Sequence, residues 1–211
     1  MSGLTAQYNF TNDWFTHVQS LIGNFSSRLE IKNCLEIGCF EGRSTCFFIE
    51  SLGAKGLEKL VCVDSWKGGS EHVQAKEDMS LVQARFFSNV KIALSRVNPQ
   101  LPVIVMKSDS VTALTKLVSD QAYRNSFELI YIDGSHEATD VMADAVLSFH
   151  LSRIGGLLIF DDYTWCQSFD QGKDLCYSPK TAIDAFVNIF FRKIEVMYCS
   201  HKTWIVKKIS G

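Results

Sequence analysis

Excess charge of one sign, proline and paired cysteines are all scarce in this chain, and each shortage removes a class of function. Lysine plus arginine number 21 against 23 aspartate plus glutamate, for a formal charge of −2. That balance provides no electrostatic footprint for tracking phosphates, so no nucleic-acid partner is expected. Only three prolines occur in 211 residues, and no low-complexity or linker-like stretch divides the sequence. The seven cysteines are an odd number without a CxxC pair, which argues against a disulfide framework or a zinc site. No apolar run approaches the roughly 18 residues of a membrane-spanning helix, and no secretory pattern opens the sequence. The expectation is a reduced, cytoplasmic protein with no membrane partner. It forms one domain over 1–211, with a helical cap at 1–32 and a sheet with its helices at 33–208.

What is present is alternation. Trp14, Val18, Leu21, Ile22, Phe25 and Leu29 recur at helical spacing, predicting an amphipathic helix over 12–30 capped by Thr11 or Asn12. NCLEIG, KLVCVD, PVIVMKS, FELIYID and GGLLIFDD then read as strands separated by helical segments. Five such runs predict a parallel sheet covered on both faces. Ser178-Pro179 opens a further helix. IEVMYC and TWIVKK, three residues apart, can pair only as an antiparallel hairpin. The fold class is therefore α/β: a doubly wound, mostly parallel seven-stranded sheet with a reversed last strand. The phenylalanine pairs 47–48, 86–87 and 190–191 are expected in the core.

In an open α/β sheet, ligands collect beyond the carboxyl ends of the strands. Glu36-x-Gly38-x-x-x-Gly42 ends the first strand there. Gly38 permits positive φ and close backbone approach, Gly42 the turn into the helix, and the helix start at Arg43-Ser44-Thr45 offers free amides to an anion. Asp64, ending the second strand, can accept from a ribose diol. Phe40 stands where a dinucleotide fingerprint has its second glycine, so a cofactor with a small carboxylate, such as S-adenosylmethionine, suits this turn better than a pyrophosphate. At the ends of two later strands stand Asp133, in IDGSH, and the adjacent Asp161 and Asp162, in FDDY.

LEIGCFEGRS, VDSW, IDGSH and GGLLIFDDY together resemble the class I S-adenosylmethionine-dependent methyltransferases, with their Rossmann-like sheet. IDGSH with FDDY is similar, more narrowly, to the metal-dependent sugar O-methyltransferases that act on macrolides and aminocoumarins. The resemblance, over roughly residues 33–208, implies that Glu36, Gly38 and Gly42 surround the methionyl end of the cofactor. It places Asp64, Ser65 and Trp66 about the ribose and adenine, and Asp109 and Ser110 at the adenine edge.

In such a reaction an acceptor hydroxyl needs activation. Asp133, Asp161 and Asp162 suit a hard cation, Mg²⁺ or Mn²⁺, able to lower the hydroxyl pKa. Neighbouring strand residues point to opposite faces, so the two adjacent acids converge only if the chain turns between them; otherwise one of them caps the next segment. His136 is the candidate general base, its alternative being a cap on the following helix. The long polar loop from Ser65 to Met79 has the makings of a lid, with Trp66, Glu71 and His72, and beyond the acids Tyr163 and Trp165, as candidate acceptor-pocket residues. The partner expected is a small-molecule or sugar acceptor, and the aromatic N-terminal helix is available to pair two chains or cap a pocket. The competing readings are an NAD-dependent oxidoreductase and a cofactor-binding module without catalysis.

Overall fold

Alternating apolar runs become a sheet because each strand can bury both of its faces only under helices. A computed structural model describes residues 7–69, 72–73, 75–169 and 172–211. Along the chain lie α1 (Thr16–Ser26), β1 (Asn33–Ile37), α2 (Arg43–Gly53), β2 (Lys59–Asp64), α3 (Met79–Arg96), β3 (Val103–Lys107) and α4 (Ser110–Ser119). There follow β4 (Phe127–Ile132), α5 (Ala138–Leu151), β5 (Ser152–Phe160), a short ribbon of β6 (Ser168–Phe169) and β7 (Gly172–Lys173), α6 (Pro179–Phe190), β8 (Ile194–Cys199) and β9 (Trp204–Lys208). The main sheet has seven strands in the order β3-β2-β1-β4-β5-β9-β8. β9 runs antiparallel to both β5 and β8, so the reversed strand, last in sequence, sits one place in from the edge.

Side chains of period two divide the core between the faces. Cys34, Leu60, Cys62, Leu129, Tyr131 and Ile159 pack against Val18 and Ile22 of α1, Phe48 of α2 and Phe86 of α3. Their sequence neighbours Leu35, Val61, Ile130, Ile132 and Leu158 face Leu114 of α4, Phe149 of α5 and Phe186 of α6. Phe47 and Phe48 both pack in the core, as expected, but the other two pairs are split: Phe86 is sealed and Phe190 packs on the core, while Phe87 and Phe191 are exposed, because adjacent residues of a helix point about 100° apart. Expecting both members of these two pairs in the core was wrong. All seven cysteines carry free thiols. Among the described residues, no helix is long and apolar enough to cross a membrane.

Two caps differ from expectation. α1 begins at Thr16 after Phe15, with no side-chain cap. Thr11 is instead spent on buried Glu41, to which its amide and hydroxyl donate at 2.7 and 2.8 Å. Ser178 precedes α6, but its hydroxyl donates to the Trp165 carbonyl at 2.8 Å.

Asp144 on α5 is fully buried, and among the described residues neither carboxylate oxygen has a hydrogen-bond partner of normal length. Burial, more than the nearby Asp140 charge, pushes its pKa up to about 7 against the opposing pull of the Ser110 hydroxyl. The folded state therefore keeps a proton that the unfolded chain releases between about pH 4 and 7, and stability falls as pH rises through that window. Asp144→Asn is expected to leave Tm unchanged at pH 4 and to raise it by several degrees at pH 8. The stabilisation there is up to about 4 kcal/mol, and thermal melts at the two pH values check it.

Candidate active site

The winding direction reverses between β1 and β4, whose carboxyl ends therefore part into a crevice. The ladder runs one residue past each strand: the Asp133 amide donates to the Ile37 carbonyl at 2.8 Å and the Asp161 amide to the Ile132 carbonyl at 3.0 Å. Gly38, at φ +83°, lies so close to β4 that a Cβ there would stand 1.9 Å from the Asp133 carbonyl oxygen. Gly42, at φ +80°, makes the turn into α2. A cleft of about 470 Å³ opens above this point, within the range of small-molecule and cofactor sites.

Gly38, Gly42 and Phe40 form one left-handed series, since Phe40 also has φ +47°. The chain thus takes a glycine-like conformation at Phe40 without a glycine. Asp64 explains how: one carboxylate oxygen accepts from the Cys39 and Phe40 amides, both at 2.9 Å, and the other from the Trp66 amide at 2.6 Å. Asp64 lines the cleft with Gly38, Ser44, Ser65, Asp109 and Ser110, but its lone pairs are largely committed to holding the turn. Asp109 also caps α4, accepting from the Thr112 amide at 2.8 Å.

Two expected cofactor residues lie elsewhere. Glu36 is fully buried beneath the turn, bonded to the Ser44 hydroxyl and, at 2.5 Å, to the Thr45 hydroxyl. Burial raises its pKa to about 7 against the pull of those hydroxyls. It braces the start of α2 rather than facing the cleft. Trp66 is also buried, its indole tilted against Phe86 with centroids 5.0 Å apart and its Nε1 donating to the Phe40 carbonyl at 2.9 Å. At φ +47° the chain turns this ring inward, under the loop, instead of into the cleft. Glu36, Cys39 and Cys62 place ligand atoms within 4.8 Å of one another, but burial raises both thiol pKa values and Glu36 is already engaged, so this group is core.

Opposite the turn stands the acid cluster. Asp162 has φ +52°, the turn that convergence of the two adjacent acids requires. Asp133, His136 and Asp162 place ligand atoms within 4.8 Å of one another, with His136 Nε2 3.1 Å from Asp162. Asp161 is not in that set. Its oxygens accept from Tyr131 at 2.5 Å, Thr203 at 2.9 Å and the Asp162 amide at 3.0 Å, with His17 Nε2 at 3.3 Å. Of the expected trio, Asp133 and Asp162 fall in that group together with His136, whereas Asp161 spends its lone pairs on other side chains and the Asp162 amide. His136 stacks on Trp165 with ring centroids 3.9 Å apart, and Glu137, not His136, occupies the cap position of α5. Burial, then the charges of Asp161 and Asp162, push the Asp133 pKa well up.

Sequence reading missed three residues here. Tyr131 donates its one hydroxyl hydrogen to Asp161 and lies 3.2 Å from Asp133; its position two before Asp133 on a strand gave the signal. His17 lies beside the buried stripe of α1, one residue before Val18. Thr203, in the β8–β9 turn, carried no local signal. Tyr163, expected at the acceptor pocket, is buried against Trp204 with its hydroxyl on Asp184. His72 does line the cleft, beside Trp14 and Phe40, and Glu71 lies outside the described residues.

A sheet of this order with one reversed strand, a glycine turn at the switch point and acids facing it define the class I methyltransferase architecture. The model of a family described as methyltransferase domain matches residues 35–163, more than half of the chain. The chain belongs to that family, the S-adenosylmethionine-dependent methyltransferases of class I. A search of curated proteins finds no match. Among solved structures, an O-methyltransferase from Bacillus cereus in complex with SAH is 16% identical, with a TM-score of 0.64 over 95% of this chain and 84% of that one. TomG, an O-methyltransferase from Streptomyces achromogenes involved in tomaymycin synthesis and bound to SAM, is 16% identical, with a TM-score of 0.62 over 92% and 79%. The SAH-bound Podospora anserina methyltransferase PaMTH1 gives 16% and 0.56 over 90% and 77%. At these identities the likeness is one of fold.

If Asp64 holds the turn, removing its charge harms the ligand-free protein. Asp64→Asn is expected to lower ligand-free stability by about 1–3 kcal/mol and to weaken S-adenosylhomocysteine binding at least tenfold in calorimetry. A residue used only for the ribose would leave the ligand-free melt unmoved.

Proposed function

We propose that this enzyme transfers the methyl group of S-adenosylmethionine to a hydroxyl oxygen of a small-molecule or sugar acceptor, assisted by a divalent cation. The observation that carries this reading is the convergence of Asp133, His136 and Asp162 on the cleft that the glycine turn also lines. The donor set suits a cation: two carboxylates crowd together at half-buried positions, where like charges disfavour one another. The imidazole favours Mn²⁺ over Mg²⁺, which prefers oxygen alone. A cation held there supplies a Lewis acid beside the acceptor hydroxyl.

The chain's own groups do the rest. Gly38 and the amides held by Asp64 shape the turn for the methionyl end, Ser65 and Asp109 with Ser110 flank the nucleoside side, and Trp165 fixes the His136 ring by stacking. The rim of Trp14, Phe40 and His72 is apolar enough to limit water over the reacting atoms. The seven free thiols suit a cytoplasmic enzyme. B. cereus and S. achromogenes neighbours that their descriptions call O-methyltransferases support oxygen as the methylated atom.

With Mn²⁺ and a vicinal-diol acceptor, wild-type enzyme is expected to transfer methyl groups, and excess chelator to lower turnover at least 100-fold. Asp133→Asn is expected to abolish both turnover and Mn²⁺ binding by calorimetry, while S-adenosylhomocysteine still binds. Full turnover in excess chelator, or in Asp133→Asn, removes cation assistance.

A further inference from the structure

S-adenosylmethionine carries one anion, its methionyl carboxylate, and most of the cleft repels it. Asp133, Glu137, Asp140, Asp161 and Asp162 all line that space. Arg43 and Lys67 are the only Lys or Arg side chains among the described residues that do so. Lys67 is exposed on the loop after β2, near enough for its charge to act on Asp109, and so stands on the nucleoside side. Arg43 is the first residue of α2, where the glycine turn for the methionyl end finishes. The next two side chains are spent below that turn, since the Ser44 hydroxyl and, at 2.5 Å, the Thr45 hydroxyl both donate to buried Glu36. Arg43 instead reaches the N-terminal segment, with 32% of its side chain exposed to an incoming ligand.

Its guanidinium is placed before any ligand arrives. The Cζ atom lies 4.4 Å over the Phe10 ring, and Nη2 donates to the Asn12 carbonyl at 2.5 Å. Five N–H donors are available to an arginine. One is given to Asn12, and Nε is buried without a partner among the described residues. Nη1 faces only Asp13, at 3.5 Å, and that carboxylate is 62% exposed. A loose, solvated ion pair of this kind contributes little, so a better-placed carboxylate can displace it.

We propose that the Arg43 guanidinium binds the methionyl carboxylate of S-adenosylmethionine, taking it in exchange for Asp13. The residue that ties down the N-terminal segment thereby also reads the cofactor's one negative charge. Guanidinium and carboxylate are matched planar partners, and their attraction is stronger inside a cleft than for a pair in open solvent. The first turn of α2 adds the positive end of its dipole at the same point. This contact holds whichever acceptor atom is methylated, and it serves S-adenosylhomocysteine equally, because the product keeps the carboxylate.

The test is calorimetry on the full chain without metal or acceptor. It compares S-adenosylhomocysteine with 5′-[(3-aminopropyl)thio]-5′-deoxyadenosine, which differs from it only in lacking the carboxylate. Wild type is expected to bind the decarboxylated ligand about tenfold more weakly, or worse. Arg43→Gln is expected to raise the S-adenosylhomocysteine Kd by about tenfold or more and that of the decarboxylated ligand by less than about threefold. Arg43→Met, which keeps the stem beside Phe10 and drops the charge, is expected to behave alike. Equal weakening of both ligands makes Arg43 an anchor of the N-terminal segment alone and overturns the inference. So does an S-adenosylhomocysteine Kd within about threefold of wild type in either variant. A wild type that does not distinguish the two ligands overturns it without recourse to any variant.

Discussion

The site depends on how closely two parallel strands approach after they stop pairing. β1 and β4 hold register to their last residues, Ile37 opposite Ile132, and one further hydrogen bond fixes Asp133 to Ile37. Any side chain at position 38 would strike the Asp133 carbonyl. Glycine there is a packing requirement first and a conformational one second. Because that contact joins the cofactor turn to the first acid, the two halves of the active site cannot drift apart without breaking the sheet's central pair. A ladder of neutral amides thus sets the distance between a bound cofactor and the acids that face it.

The acids must then be kept from repelling one another. The protein does this unevenly. Asp161 is surrounded by donors from three separate elements: His17 from α1, Tyr131 from β4 and Thr203 from the β8–β9 turn. Its pKa is held low against burial by His17 and Tyr131. Among the described residues Asp133 has the long Tyr131 contact at 3.2 Å and is pushed the other way by burial and by the charges of Asp161 and Asp162. Two carboxylates one strand apart therefore divide into a structural anion and one that gains from a proton or a cation. Uneven solvation of like groups is how one fold assigns them different tasks.

The strands, the hairpin and the two glycine positions were legible because they rest on local rules: period two, loop length and the need for positive φ. Asp133 and Asp162 were legible for a related reason, since strand ends at a switch point collect ligands whatever the helices do. What failed was side-chain direction after a turn. Trp66 and Tyr163 both follow strand-ending aspartates and both read as pocket residues, yet Trp66 is swung inward by a positive φ and Tyr163 is drawn to Asp184 and Trp204. Glu36 failed differently, because a strand carboxylate two residues before a glycine can point down into the sheet as readily as up. Thr203 could not be found, since its partner lies 42 residues away.

The N-terminal segment is held by more than packing. Its chain is tied down ahead of α1 by bonds that no simple cover needs. Asn9 exchanges two bonds with Asn89, at 2.8 and 3.0 Å, Thr11 is bound to Glu41, and Tyr8 donates to Glu50 at 2.6 Å. A hydrophobic lid would be held adequately by Phe15, Val18 and Ile22, all buried against the sheet. Non-directional burial leaves a helix free to slide by fractions of an ångström, whereas pairs of directional bonds at its entry fix both position and rotation. Fixing the rotation matters for one residue in particular. With 3.6 residues per turn, a shift that leaves Val18 buried would carry His17 away from Asp161, the carboxylate that its Nε2 meets at 3.3 Å.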